Sequence, residues 1–202
     1  TYRPIEVIVL DDGSTDGSGD VAKRFVPPVR YYFQPNAGLG AARNKGISLA
    51  QGSVFAFLDS DDVWLEGKLT RQMAVLDDNP EVDMVFGYAR QFNSPELDEQ
   101  SKTKTRPSDE VLPGYFAGTM LIKRDAFYRV GLFETDWRVG EFIDWYLKAM
   151  ERGLKSILLP EVVMKRRIHA NNMGIRERKY QTDYVRILKA ALDRRREKAL
   201  LQ

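Results

Sequence analysis

The chain has 202 residues, 43% of them hydrophobic, which is enough to bury one substantial core without division into two. Its formal net charge of +2 sets up no overall field that calls for nucleic acid, so no nucleic-acid partner is expected. With no cysteine and one histidine, His169, the chain has no disulfide framework, thiolate metal site or thiol nucleophile, and a bound metal must rest on oxygen or on that histidine.

In chain order, Ile5 and Val7 to Leu10 form a continuous apolar run of the kind found in strands buried on both faces, and it stops at Asp11 and Asp12. Gly13 to Gly17 supply turn chemistry, Val21, Ala22 and Phe25 have the spacing of a short helix ending before Pro27, and Val29 to Phe33 reads as the next strand. Ala41, Ala42, Ile47, Leu49 and Ala50 suit a helix closed by Gly52, followed by a second apolar strand from Val54 to Leu58. That strand also runs into carboxylates, and Leu65, Leu69, Met73 and Leu76 then mark an amphipathic helix. Val82, Met84, Phe86 and Tyr88 alternate as a strand. Residues 93–110 are polar and charged and predict a mobile loop. Beyond it the pattern predicts a strand from Thr119 to Lys123, a helix from Glu141 to Arg152, strands near Ile157 and Val163, and a basic helix from Glu177 onward, with Tyr180, Tyr184, Ile187, Leu188, Ala191 and Leu192 along its packed side.

Alternating strands and helices predict an α/β fold with a mostly parallel central sheet flanked by helices, and in such sheets ligands gather outside the carboxyl ends of strands. Both acidic clusters fall at strand ends. Side chains two apart on extended chain point the same way, so Asp59 and Asp61 converge on one point while Asp62 turns towards the following helix, where it reads as the cap. Proteins commonly hold magnesium with one or two carboxylates and complete its shell with water and phosphate oxygens, which makes a diphosphate the natural third party. On spacing alone this tetrad is equally an acidic turn with a helix cap. Asp12, Ser14, Asp16 and Gly17 begin a calcium-loop pattern, but its twelfth position is Lys23 and the match fails. Gly17, Gly19 and Ala22 lie too far beyond the strand for a dinucleotide fingerprint. No P-loop and no serine nucleophile elbow occur.

The order Val9 Leu10 Asp11 Asp12 Gly13 Ser14 Thr15 Asp16, then Asn36 Ala37 Gly38, then Ala42 Arg43 Asn44, then Leu58 Asp59 Ser60 Asp61 Asp62 resembles family 2 glycosyltransferases of the GT-A fold. The likeness continues through Gly118 to Lys123, Phe127, Val130, Gly131 and Phe133, and through Glu141 to Glu151. It implies one catalytic domain over 1–202: a nucleotide-sugar part at 1–92, an acceptor-side and catalytic part at 93–175, and a basic C-terminal helix at 176–202. It also implies that the family begins with a strand that does not precede Ile5 here, and the start at Thr1 without methionine predicts a fragment of a longer protein.

What the resemblance implies chemically is an inverting transfer from a nucleoside-diphosphate sugar, a UDP-sugar foremost, to the hydroxyl of a glycan, lipid-linked or other acceptor, in polysaccharide or glycan biosynthesis. It places Asp11, Asp12, Asn36, Gly38, Arg43, Asp59 and Ser60 on the nucleotide sugar. It places Mg2+ or Mn2+ on Asp61, in the family's Asp-x-Asp pattern, with Asp59 and His169, and Gly118 and Trp145 on the acceptor side. Family sequences have adjacent Glu and Asp at the start of the catalytic helix, whereas Glu141 is followed by Phe142, so the base is either Glu141 or Asp144 one turn later. The alternative is a nucleotide-sugar or carbohydrate binding module of the same fold without catalysis. No apolar run approaches the ~20 residues that span a bilayer, and a cytoplasmic protein is expected, with peripheral contact at the inner face of the membrane through Arg194, Arg195, Arg196 and Lys198.

Overall fold

A computed structural model describes residues 2–97 and 110–200. In chain order its elements are β1 Val7–Asp12, α1 Ser18–Lys23, β2 Val29–Gln34, α2 Leu39–Leu49, β3 Val54–Ala56, β4 Val63–Trp64, α3 Lys68–Asp78 and β5 Met84–Asn93. There follow β6 Val111–Gly114, β7 Leu121–Lys123, α4 Arg124–Val130, α5 Glu141–Glu151, β8 Ser156–Ile168, α6 Met173–Arg176 and α7 Thr182–Leu200. The elements form two compact units, one built from residues within 54–126 and 153–179, the other from residues within 3–53, 127–152 and 180–200. These units cut across the divisions expected at 92/93 and 175/176, because each is assembled from stretches distant in sequence. The mobile loop expected over 93–110 falls mostly outside the described residues.

The first unit is a six-stranded sheet in the order β3-β7-β5-β8-β4, with β6 paired to β5. Met84, Val85 and Phe86 of β5 are fully buried, as a continuous apolar run in a central strand requires. Around Val85, the side chains of Leu76, Val82 and Leu121 form a core against which Leu69 and Met73 of α3 pack. β5 and β8 run parallel, and the strands expected near Ile157 and Val163 are one strand, β8. Its register shifts between Phe86↔Leu158 and Tyr88↔Val162, where Pro160 lacks the N–H a regular ladder needs. Opposite, a Cβ on Gly114 would lie 2.3 Å from the Gly87 carbonyl, so β6 can approach β5 only with glycine there.

In the second unit β1 and β2 pair in parallel from Val7↔Val29 to Asp12↔Gln34. Among the described residues β1 has no other partner strand, and Val7 is 44% exposed, so the burial on both faces expected of this run is not met. Parallel pairing thus occupies the two longest ladders, β1/β2 and β5/β8, while the shorter ones, of β3, β4, β6 and β7, are antiparallel. The α/β class holds, with its strands in two sheets. Helix α5 buries Trp145 at 1% exposure, stacked on Phe127 at 5.0 Å between ring centres, with its indole N–H donating to the Gly131 carbonyl at 2.8 Å. Helix α7 turns Ile187 and Ala191 inward but leaves Leu188 and Leu192 each 53% exposed, so its packed side is narrower than the apolar pattern predicts.

Candidate active site

In the first unit the acidic turn follows β3 and leads into β4. The Asp62 N–H donates to the Asp59 carbonyl at 3.1 Å, closing the turn, and leaves Ser60 exposed at its tip. The C-terminal end of β8 holds the turn from the other side. There the Arg167 N–H donates to Asp62 Oδ1 at 3.0 Å and its Nε donates to the Asp61 carbonyl at 3.1 Å. Asp62 is therefore not the helix cap expected of it. Helix α3 begins only at Lys68 behind Gly67, because β4 intervenes, and the Asp62 carboxylate serves β8 instead. Burial pushes the Asp62 carboxyl up to about 6, the Arg167 N–H opposes that, and the charges of Asp61 and Asp59 add to it.

Asp61 and His169, 108 residues apart, meet: His169 Nε2 lies 2.9 Å from Asp61 Oδ2, and the Asn172 amide donates to the same oxygen at 3.2 Å. The His169 N–H donates to Asn172 Oδ1 at 2.6 Å, fixing the turn that presents the imidazole. Asp61 and His169 remain 35% and 27% exposed and open onto a cavity of about 490 Å³ that Ser94, Glu96, Leu97 and Arg167 also line. Among the described residues no three His, Asp or Glu side chains converge as a metal centre. Gly118 is buried, where a Cβ would lie 2.7 Å from Met164 Sδ, and its carbonyl accepts the Trp64 indole N–H at 2.8 Å.

In the second unit the two strand-end aspartates are occupied. Asp11 accepts the Ser14 N–H at 2.8 Å and the Tyr31 hydroxyl at 2.7 Å, and these bonds hold its carboxyl below the usual range. Asp12 accepts the N–H groups of Ala37 and Gly38, each at 2.9 Å, and the Gln34 amide at 2.7 Å, while Asn36 donates to its carbonyl at 3.0 Å. It therefore fastens the loop between β2 and α2 to the end of β1. Gly13 at φ 84° permits this, since a Cβ there would meet the Asn36 nitrogen at 2.7 Å.

Both base candidates stand in the first turn of α5. Glu141 is 5% exposed and ion-paired with Arg43 of α2, whose guanidinium also lies over the Phe133 ring. Asp144 is 2% exposed, with Lys148 2.8 Å and Arg194 3.7 Å away. The Lys148 contact lies off hydrogen-bond direction and leaves Asp144 Oδ2 without a bond. Trp145, expected on the acceptor side, is a core residue, and this corrects that expectation: its ring faces Phe127, Phe133 and Phe142 and has no surface to offer a ligand. Trp64, Lys68 and Gln72 carry no signal in the sequence beyond an aromatic and a lysine four residues apart directly after the acidic turn.

The family model described as Glycosyl transferase family 2 matches residues 1–134. An uncharacterized glycosyltransferase of Rickettsia prowazekii, RP339, is 31% identical over 188 residues, which cover 84% of this chain and 57% of that protein. Glycosyltransferase GlyA of Streptococcus pneumoniae is 38% identical over 99 residues, 48% of this chain and 14% of that protein. Among solved structures, residues 1–349 of S. aureus TarS superpose with a TM-score of 0.64 at 19% identity, covering 80% of this chain and 51% of that one. The same TarS fragment in complex with UDP-GlcNAc gives a TM-score of 0.64 at 18% identity, covering 84% and 51%. At that identity the likeness to TarS is one of fold. The chain spans little more than half the length of the Rickettsia protein and of the TarS fragment.

Proposed function

The chain belongs to the family 2 glycosyltransferases, and from that premise we propose that it moves a sugar from a UDP-sugar to an acceptor hydroxyl with inversion at the anomeric carbon. The observation that carries this reading is the Asp61–His169 pair at 2.9 Å, half open on a cavity just beyond the end of β3. The Asp61 carboxylate would suit Mg2+ or Mn2+, whose shell phosphate and water oxygens complete, and the His169 imidazole beside it would suit Mn2+ better than the harder Mg2+, so these two residues would supply the protein's share. When bound, such an ion neutralises charge on the departing diphosphate. Arg167 and Asn172 hold Asp61 in place for it. Within the second unit, Asp12 keeps the Asn36–Gly38 loop set for the nucleotide, and Arg43 holds Glu141 through their ion pair. TarS, of the same fold, binds UDP-GlcNAc, which makes that compound the first donor to try.

Glu141 is our choice of base. Its carboxylate takes the acceptor hydroxyl proton as that oxygen bonds to the anomeric carbon and the bond to the diphosphate oxygen breaks, with the electron pair leaving on UDP. Asp144, clamped by Lys148 and near Arg194, is a structural anchor of α5. A second reading, donor binding without turnover, is favoured by one observation: both carboxylates face cations in buried ion pairs, and Phe142 stands where the family has an acid.

Calorimetry and UDP release with UDP-GlcNAc, with and without Mn2+, separate the two readings. Metal-dependent release that Asp61→Ala and Glu141→Gln each reduce by about a hundredfold or more supports transfer. Metal-dependent binding with no release supports the second reading, and no metal-dependent nucleotide binding removes both. No helix among the described residues is long and apolar enough to cross a membrane. Peripheral contact with an anionic membrane surface through α7 belongs to the same proposal, since a lipid-linked acceptor would be met there. The outward surface is Val185, Leu188 and Leu192 between Lys189, Arg195 and Arg196; Arg194 is engaged by Glu151 at 2.7 Å.

A further inference from the structure

Lys68, the first residue of α3, is 1% exposed, and among the described residues no carboxylate pairs with it. Its ammonium donates to Gln72 Oε1 at 2.7 Å and stands 4.5 Å above the centre of the Trp64 ring. Each of these partners reaches onward to the same place. The Trp64 indole N–H donates to the Gly118 carbonyl at 2.8 Å, and the Gln72 amide donates to the Thr119 carbonyl at 2.8 Å and to the Val85 carbonyl at 3.1 Å. Two consecutive carbonyls of the Ala117–Thr119 turn are thus tethered by two side chains that a single buried amine holds. Trp64 ends β4, which follows the acidic turn directly, so the same amine holds the strand into which Asp59 to Asp62 lead.

We propose that Lys68 is a positioning residue for sugar transfer: through Trp64 and Gln72 it locks the acidic turn and the Ala117–Thr119 turn into one geometry. An amine buried without a counter-charge is an expensive way to fill a core, and burial pushes Lys68 down to about 7. A methionine of similar length would fill the space and remove the cost of the buried charge, against which stands only the loss of the donor to Gln72 Oε1. What lysine adds is direction. The hydrogen bond sets the Gln72 amide, the cation over its face sets the Trp64 ring, and rigid support of this kind keeps reacting groups from drifting by the ångström that costs large factors in rate. The inference rests on the transfer reading for its kinetic arm only.

The test compares wild type with Lys68→Met, Gln72→Met and the double variant. Lys68→Met is expected to unfold at a midpoint close to that of wild type at pH 7, relief of the buried charge offsetting the donor lost to Gln72 Oε1, to keep its KM for UDP-GlcNAc within about twofold, and to lose about tenfold to a hundredfold in kcat. The double variant is expected to lose no more than the worse single one, as one unit requires. A folded Lys68→Met with unchanged kcat overturns the proposal, as does a loss that tracks lowered stability or multiplies in the double variant. Should wild type release no UDP at all, the transfer reading fails separately, and the positioning claim is read by hydrogen exchange at the Trp64 indole. Exchange accelerated in Lys68→Met supports the lock, and equal protection in both proteins overturns it.

Discussion

At the scale of single residues, the Arg43–Glu141 pair decides how the second unit treats charge. Glu141 is 5% exposed, so removing its cation leaves a nearly buried carboxylate without its paired charge. Arg43→Met is expected to destabilise the protein by about 3–5 kcal/mol, and the double variant Arg43→Met, Glu141→Leu to recover most of that, measured by urea denaturation. A single-variant loss under about 1 kcal/mol would show the pair to be as loose as a surface ion pair. Asp61 and His169 were legible together because each sits in a short, ordered motif, although 108 residues separate them. The Arg43–Glu141 contact and the burial of Trp145 were not, since an acid at a helix start and a tryptophan on a helix face look the same in sequence whether they meet substrate or core.

At the scale of elements, strands and helices with a clear period were legible to within a few residues, as α5 and β2 show. What escaped were elements too short to carry a period, β4 and β6, and the continuity of β8 across Pro160. Helix α7 shows what period alone leaves open. Its apolar residues divide between an inner face, Ile187 and Ala191, and an outer stripe of Val185, Leu188 and Leu192 at i, i+3 and i+7, with Lys189, Arg195 and Arg196 at its margins. An apolar stripe edged by cations suits the interface of an anionic bilayer. In flotation assays the protein is expected to rise with phosphatidylcholine vesicles containing phosphatidylglycerol and to stay behind with phosphatidylcholine alone. High salt or Leu188→Glu should abolish the association. Equal behaviour with both vesicle types would remove the membrane from the proposal.

At the scale of the whole molecule, the half-buried Asp62 and the buried Lys68 give stability a pH dependence with opposite signs in separate windows. Asp62, raised from 3.8 to about 6, is more protonated in the folded than in the unfolded chain between those values, so its contribution falls as pH rises through that window. Lys68, lowered from 10.5 to about 7, is less protonated in the folded chain from about 7 upward. There the unfolded state binds more protons, and stability rises with pH by at most about 1.4 kcal/mol per unit. Below the folded pKa the amine is charged in both states and its full burial cost is present; above it that cost is progressively relieved. Lys68→Met removes this slope and leaves the Asp62 window intact. The gap between wild type and Lys68→Met in urea denaturation is therefore expected to shift in favour of wild type by about 1–3 kcal/mol from pH 7 to pH 9. Parallel profiles over that interval would mean that the amine reaches solvent or finds an anion. A shift confined to pH 4–6 would instead assign the titration to the acidic turn.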